Sequence, residues 1–181
     1  MREVGALLAR YLLVMGGAAA ALAAADRLPA LLSGATHGAR VYRTLSAAES
    51  ALGARLRLPS YYPDTLSWPP SRIEVAPGPP PVTAVHVTRR DGAREALVVC
   101  QSIGAPADPP RWLLPPLEAL QDVEVEVGLH QAGLVRRLTP GGLVVHDLSW
   151  TQGERRFTLR YEGAVEDLLR MARSLGGDVT P

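Results

Sequence analysis

The sequence predicts an α+β protein with an N-terminal transmembrane helix, followed by an antiparallel sheet with a C-terminal helix packed on one face. Three observations carry this prediction. Residues 11–25 form an uncharged apolar stretch. Several short downstream segments alternate apolar and polar residues, which is the pattern of half-buried strands. Residues 163–175 place apolar side chains at the spacing of one helix face.

The apolar stretch has two interpretations. In a cleaved signal peptide, Arg2 and Arg10 are the basic start, and residues 23–25 are a small-residue cleavage site before Asp26. In a retained anchor, residues 4–25 supply the roughly 20 apolar residues that span a bilayer. Arg10 would then extend toward the lipid headgroups. Length and flanking residues favour a signal anchor over residues 1–25, and cleavage remains the alternative.

The predicted anchor carries small residues along one side, at Gly17, Ala21 and Ala25. Such a side lets another membrane helix pack closely. Arginines flank both ends of the stretch, so the positive-inside rule does not decide orientation. The short N-terminal tail and the likeness to an export signal favour a C-terminal domain outside the cytoplasm, held by a single span in a bacterial inner membrane. Residues 26–44 would be a juxtamembrane linker, and residues 45–181 a periplasmic α+β domain.

The domain is predicted to contain about five to seven strands. A hairpin turns at Asp91-Gly92, and another turns at residues 152–154. Valines alternate with Glu124 and Glu126, which predicts a half-buried strand with an acidic outer side. The segments predicted as strands are residues 73–75, 82–90, 96–101, 123–127, 134–138, 143–150 and 156–161.

Two helices flank these strands in the sequence. Ser46 and Glu49 match a capping box, and the helix that follows is expected to end before Pro59. The C-terminal helix has acidic residues near its start and arginines near its end, which suits the helix dipole. Its predicted buried face consists of Val165, Leu168, Leu169, Ala172 and Leu175.

A proline-punctuated loop over residues 104–116 contains Trp112, Leu113 and Leu114. If exposed, this triplet would be a docking patch for a partner protein or for lipid headgroups. The alternative is that Trp112 folds back and fills the core, because a large aromatic side chain buries much area.

No catalytic or metal-binding motif is recognisable in the sequence. The net charge is +1, from 19 basic and 18 acidic residues, so no electrostatic footprint for nucleic acid is present. Cys100, the single cysteine, reads as a small buried apolar residue. The four histidines lack metal-ligand spacing, and the adjacent His146 and Asp147 would point to opposite faces of a strand. The prediction is a protein that is not an enzyme and has no cofactor.

The C-terminal part of the chain resembles a known type of domain. Leu148-Ser149-Trp150 ends one strand, an aromatic strand follows over residues 157–161, and an acidic helix start comes next. Upstream, residues 58–63 read Leu-Pro-Ser-Tyr-Tyr-Pro. This order resembles a bacterial extracytoplasmic domain of unknown function in single-span anti-sigma-factor-like and lipoprotein-sorting-like proteins. The resemblance covers roughly residues 46–175 and implies an α+β domain that senses, binds or scaffolds, without catalytic residues.

The predicted function is a non-catalytic, membrane-anchored accessory or scaffolding subunit of a larger bacterial membrane complex, with photosynthetic and respiratory complexes as reasonable classes. Its partners would be other membrane subunits and the bilayer. The alternative is an anti-sigma-like sensor or an exported domain that binds a ligand or lipid. A subunit predicts a flat exposed apolar surface, and a ligand-binding domain predicts an apolar cavity between sheet and helix. A third possibility, a small exported hydrolase, predicts polar groups converging in a cleft.

Overall fold

The computed structural model describes residues 38–92 and 94–175 of the chain. From residue 39 onward these residues belong to one compact unit. The strands and helices are β1 Arg40–Tyr42, α1 Leu45–Leu52, β2 Arg72–Ala76, β3 Val82–Thr88, β4 Glu95–Ser102, β5 Glu118–Val127, β6 His130–Leu138, β7 Val144–Gln152, β8 Arg155–Tyr161 and α2 Val165–Leu175.

The strands form one antiparallel sheet in the order β1-β2-β3-β4-β8-β7-β6-β5. The predicted α+β class, with its antiparallel sheet and C-terminal helix, is confirmed. The described residues contain eight strands rather than five to seven. The additional strand, β1, lies in the stretch assigned to the linker. It spans only three mostly exposed residues, too few to show an alternating pattern.

The strand order determines what covers each face of the sheet. β8 lies beside β4, whereas β5 lies at the far edge. The connection over residues 103–117 therefore crosses β8, β7 and β6 before β5 begins. Its side of the sheet is called the loop face. The opposite side of the sheet is called the helix face. The chain crosses it as α2, which contacts β5, β7 and β8.

The main core lies between the helix face and the two helices. Trp150 and Phe157 stack with ring centroids 5.1 Å apart, and both are buried. The predicted apolar face of α2 is confirmed at Leu168, Ala172 and Leu175, which are buried. Met171 is buried as well, although the sequence pattern did not include it. Val165 and Leu169 are only partly buried and pack against the edge of this core.

The loop face carries a second, smaller core under the crossing connection. Ala84, Val98 and Cys100 are buried there and pack with Leu113 of the connection. β3 and β4 are thus buried on both faces, and even His86 of β3 is only 2% exposed. Strands at the centre of a sheet covered on both sides lose the alternation that marks a half-buried strand.

The edge strand β5 is longer and more exposed than predicted. It starts at Glu118, and Val123 is 40% exposed although the pattern placed it on a buried side. Val127, near the end of the strand, is buried as expected. The acidic outer side, with Glu124 and Glu126, is confirmed as exposed.

The first helix begins one residue before Ser46, because Thr44 caps it. The Thr44 hydroxyl accepts a hydrogen bond from the Ala47 amide at 3.3 Å. The predicted capping box is therefore wrong, and the Glu49 carboxylate instead accepts from the Leu56 amide at 2.9 Å. The helix ends at Leu52 rather than near Pro59. Gly53 follows in the left-handed conformation at φ 63°, where glycine is favoured.

Within residues 38–92 and 94–175, no helix has the length and apolar character needed to cross a bilayer. The predicted anchor and its packing residues Gly17, Ala21 and Ala25 lie outside the described residues, so the anchor stays a prediction.

Truncation of a core leucine should destabilise the domain strongly, whereas truncation of an exposed leucine should not. Leu168 is 0% exposed and Leu129 is 101% exposed. We expect Leu168→Ala to lower the free energy of unfolding by about 2–5 kcal/mol, because it leaves a cavity under α2. Leu129→Ala is the matched control and should change it by less than about 0.5 kcal/mol. Chemical denaturation followed by circular dichroism measures both, and equal effects would contradict the described packing of α2.

Candidate functional site

An open trough of about 960 Å³ runs along the loop face over β8, β7, β6 and β5. Its floor comes from side chains of those four strands, and one wall is the crossing connection over residues 103–117. The apolar side chains of this connection cover only the β3–β4 half of the face. The remaining half is polar and open to solvent.

A buried carboxylate lies at one edge of the trough and joins two arginines. Asp147 on β7 is directly opposite Arg160 on β8. Arg160 Nε donates to Asp147 Oδ1 at 2.7 Å, and its Nη2 donates to Oδ2 at 2.7 Å. Arg137 Nε, from β6, donates to the same Oδ2 at 2.6 Å. We call these three side chains the Arg–Asp–Arg cluster.

The Arg–Asp–Arg cluster also holds the wall of the trough. Arg137 Nη1 donates to the backbone carbonyl of Leu117 at 2.9 Å. Arg160 Nη1 donates to the carbonyl of Pro115 at 2.8 Å. Farther along the wall, Arg156 on β8 pairs with the exposed Asp108. The arginines of the floor thus bind the segment 103–117 to the sheet at several points, although that segment has no regular secondary structure.

The floor of the trough is small and polar at its centre. Glu124, Gly133, Ser149 and Thr158 occupy successive positions across β5, β6, β7 and β8. The hydroxyls of Ser149 and Thr158 are 3.0 Å apart and share a hydrogen bond. A β-carbon added to Gly133 would meet no atom within 4 Å, so the space above it is open. A glycine inside a strand often marks a place where a ligand or another backbone approaches closely.

The charged side chains of the trough that make no ion pair lie mainly on its outer wall, which is formed by β5. Among the described residues, no ion pair involves Asp122 or Glu124 of β5, nor Arg111 of the connection. The other charged side chains of the trough are paired within it. β5 is also an edge strand, whose outward backbone N–H and C=O groups have no neighbouring strand. The outer wall therefore offers acidic side chains together with backbone hydrogen-bonding groups.

The polar groups at the centre of the trough are bonded mainly to one another. Ser149 bonds to another hydroxyl rather than to a general base, and no histidine lines the trough. Both oxygens of Asp147 already accept N–H groups from arginines. A nucleophile needs an adjacent base within hydrogen-bond reach. No group of three or more His, Cys, Asp or Glu side chains with metal-binding geometry occurs in the described parts of the chain.

A second polar cluster on the loop face surrounds His86, near the opposite edge of the sheet. His86 Nδ1 lies 2.6 Å from Glu95 Oε2, and its Nε2 lies 3.9 Å from Glu74 Oε2. Arg72 pairs with both carboxylates, at 3.2 Å and 3.7 Å. Because His86 is 2% exposed, no substrate reaches its ring.

The residues of the predicted docking loop lie against the sheet. Leu113 is buried in the smaller core, and Trp112 and Leu114 are half-buried beside it. The alternative placed Trp112 in the core, whereas Leu113 is the residue that is buried and Trp112 packs beside it. A docking role for the triplet stays a prediction, although Leu114 does line the trough. His146 and Asp147 lie on opposite faces as predicted, with His146 beside α2 on the helix face.

The space between the helix face and α2 is filled by the main core. An open hollow of about 390 Å³ lies beside the start of α2 and is lined by Val123, Leu134, Val144, His146 and others. The large apolar side chains exposed in the described residues are Val41, Trp68, Leu120, Val123, Leu129 and Leu143.

Sequence reasoning missed the Arg–Asp–Arg cluster. Its members lie on three different strands, and only the pairing of those strands brings them together. One signal was available, since Asp147 is an acidic residue within the mostly apolar segment 143–150. A charge in such a position is usually paired when it is buried.

Comparison with protein-family models, with curated proteins and with solved structures finds no match to this chain. The resemblance to an extracytoplasmic domain therefore stays a prediction, and the function has to be argued from the geometry of the trough.

Removal of the Asp147 charge should destabilise the fold and loosen the wall of the trough. Asp147→Asn leaves Arg137 and Arg160 without their shared anion in a largely buried place, which costs about 3–5 kcal/mol. Asp108→Asn is the matched control, because that pair is exposed and contributes about 0.2–1 kcal/mol. Chemical denaturation measures both values. Amide hydrogen exchange at Leu113, Leu114 and Leu117 should become faster only in Asp147→Asn. Unchanged exchange in that variant would contradict the conclusion that the Arg–Asp–Arg cluster holds the wall of the trough.

Cys100 should be unreactive in the folded protein. It is 1% exposed, and burial raises the pKa of its thiol to about 12. At pH 8 the thiolate, which is the reactive form, is therefore scarce. We expect a thiol reagent to modify the folded chain negligibly at pH 8 and to modify the denatured chain fully within minutes. Rapid modification of the folded chain would show that Cys100 is accessible.

Proposed function

We propose that this chain is a non-catalytic, membrane-anchored accessory subunit of a bacterial membrane protein complex, and that its trough binds an extended segment of a partner subunit. The observation that carries the proposal is the open space above Gly133 in the floor of a trough of about 960 Å³. A glycine there keeps the floor low without any steric need inside the domain itself.

The charges of the trough favour a basic partner segment. Asp122 and Glu124 are exposed along β5 and make no ion pair within the described residues, whereas most arginines of the trough are already paired. An extended segment lying beside β5 could also bond to its free backbone groups, as in strand addition. Complementary charge would then set the orientation of the segment and speed its association.

The proposed anchor is residues 1–25, with Gly17, Ala21 and Ala25 packing against partner helices. The support that this anchor gives to the proposal comes from the sequence pattern alone. A domain tethered at the membrane binds a membrane partner at a raised effective concentration, so a trough of moderate affinity is sufficient.

The alternative function is binding of a small ligand or lipid, as in a sensor or exported carrier. The hollow of about 390 Å³ beside α2 is the observation that favours it, because several of its lining residues are apolar. A ligand site usually buries most of its ligand's surface. This hollow is open to solvent and would leave much of a ligand's surface exposed. Ligand binding is therefore the second candidate function.

A valine at position 133 should abolish partner binding without unfolding the domain. Gly133 is inside β6 and has no positive φ, and its added side chain would enter open space. Because valine favours strands, we expect Gly133→Val to be as stable as the parent or more so. A photo-crosslinking residue at Thr151, in the trough, should capture a membrane protein in native membranes. Combined with Gly133→Val, the crosslink yield should fall at least tenfold.

The controls separate a trough effect from a general one. Gly141→Val lies in the β6–β7 turn, where the added β-carbon would meet only Thr139 Oγ1 at 3.9 Å, and it should leave the yield unchanged. A crosslinker at Glu166, exposed on α2 across the sheet, should capture little. Capture that survives Gly133→Val would overturn the trough as the binding site. A native chain with a mass starting at Asp26, recovered without partners, would overturn the anchored subunit.

A further inference from the structure

The strand β5 separates two concave surfaces of the domain. On the loop face Asp122 and Glu124 line the trough, and on the helix face Gln121 lines the hollow beside α2. Val123 contributes to both surfaces and is 40% exposed. Among the described strands β5 has a neighbour, β6, on one side only, so the backbone groups on its other side can pair with an added strand. We call this other side of Glu118–Val127 the β5 edge.

The side chains of the β5 edge alternate in chemistry. Asp122, Glu124 and Glu126 lie on the loop face and are exposed. Val123 and Val125 lie on the helix face, where Val125 packs against the main core. Because successive side chains of a strand point to opposite faces, an added strand meets carboxylates on one face and valines on the other.

The carboxylates of the β5 edge are available to a partner. Within the described parts of the chain, no ion pair involves Asp122, Glu124 or Glu126. Arg111, the unpaired cation that lines the trough, belongs to the crossing connection. A strand added at the β5 edge lies outside the trough, with β5 between it and that connection. Its nearest charges on the loop face are therefore the three carboxylates.

The open space above Gly133 lies next to these carboxylates. Gly133 of β6 is the register partner of Glu124, and a β-carbon added to it would meet no atom within 4 Å. Neighbouring strands lie about 4.8 Å apart, so β6 is about 10 Å from a strand added beyond β5. A long basic side chain opposite Glu124 would extend over that carboxylate and point toward the space above Gly133.

The hollow beside α2 suits the other face of an added strand. Its volume is about 390 Å³, and its apolar lining comes from Val123, Leu134, Val144 and Val165. Directly opposed side chains of paired strands lie about 4.5–5.5 Å apart, so a residue opposite Val123 contacts it. An apolar side chain at that position would cover the outer side of the hollow. The exposed Arg136 also lines the hollow, and its charged group can stay in solvent.

We propose that the β5 edge takes up an added β-strand in which basic and apolar residues alternate. The basic residues lie opposite the three carboxylates, and the apolar residues lie opposite Val123 and Val125. This inference rests on the proposed function, because it names the kind of partner segment that binds beside the trough. In strand addition the main-chain hydrogen bonds supply affinity and the alternate side chains supply specificity. A second copy of β5 is disfavoured as the added strand, because carboxylates would face carboxylates.

The test measures the binding of synthetic peptides to the full-length chain in a neutral detergent, by fluorescence anisotropy. The probe is a labelled peptide of alternating arginine and valine with about seven residues, a usual strand length. We expect it to bind at least about tenfold more tightly than a peptide of the same composition with its arginines and valines in separate blocks. A peptide of alternating glutamate and valine should not bind.

Backbone methylation of the probe tests for strand addition directly. In an added strand the N–H groups of alternate residues face β5, and those of the remaining residues face solvent. One peptide is N-methylated at its valines and another at its arginines. Their affinities should differ by about tenfold or more, because only one of them loses several hydrogen bonds to β5. Equal affinities would overturn strand addition.

Matched variants locate the bound peptide on the chain. Glu124→Gln should weaken binding of the alternating peptide about two- to fivefold. Glu166→Gln removes an exposed charge from α2 and should change nothing. Val123→Arg places a cation on the apolar face of the β5 edge and should weaken binding about fivefold. Leu143→Arg changes another exposed apolar residue, beside the β6–β7 turn, and is its control. Equal effects of the two arginine variants would overturn the contact with Val123.

The outcomes separate strand addition from the proposed function. If the two methylated peptides differ but capture of a membrane protein survives Gly133→Val, the β5 edge takes up a strand and the trough is overturned as the partner site. If Gly133→Val abolishes capture but the methylated peptides bind equally, the trough stands and strand addition falls. Equal binding of the alternating and blocked peptides would overturn the required alternation. Binding of the acidic peptide would overturn the role of the carboxylates.

Discussion

The pairing of β8 with β4 is the constraint on which the rest of the domain depends. It places the last strand at the centre of the sheet and β5 at the edge, so the chain must cross three strands between β4 and β5. The crossing covers the β3–β4 half of the loop face, and α2 lies on the helix face. Because both faces are covered near the centre, β3 and β4 are buried on both sides, and the edge strand is left to solvent.

The crossing connection needs outside support, and charged side chains supply it. The connection contains several prolines, which cannot donate backbone hydrogen bonds and do not fit a regular strand or helix there. Some of its carbonyl groups are satisfied instead by Arg137 and Arg160. Both arginines are held in position by Asp147, which is buried and accepts from each. A buried charge of this kind is tolerated when its partners and hydrogen bonds are complete, and the wall of the trough is a consequence of that arrangement.

The trough is set apart from the rest of the surface by its chemistry. It has an acidic outer wall, a low polar floor and arginines that are largely occupied by carboxylates and backbone carbonyls. The partner segment proposed for it is basic for this reason, because the acidic side chains of the outer wall are the ones without an ion pair in the described residues.

Local sequence was sufficient for most of the individual elements and insufficient for their assembly. The hairpin of β7 and β8, the strand β6 and the helix α2 follow from alternation, turn residues and helical spacing, which act over a few neighbouring positions. Three-residue β1 and the burial of His86 could not be predicted in this way, because each depends on strands distant in the sequence. The same holds for the trough, because Asp147, Arg137 and Arg160 carry no spacing signal and meet only through the pairing of β6, β7 and β8. The sequence by itself thus determined the class of fold and its elements. Tertiary structure alone decided where charges and open space meet, since strand order is set by long-range pairing and not by local pattern.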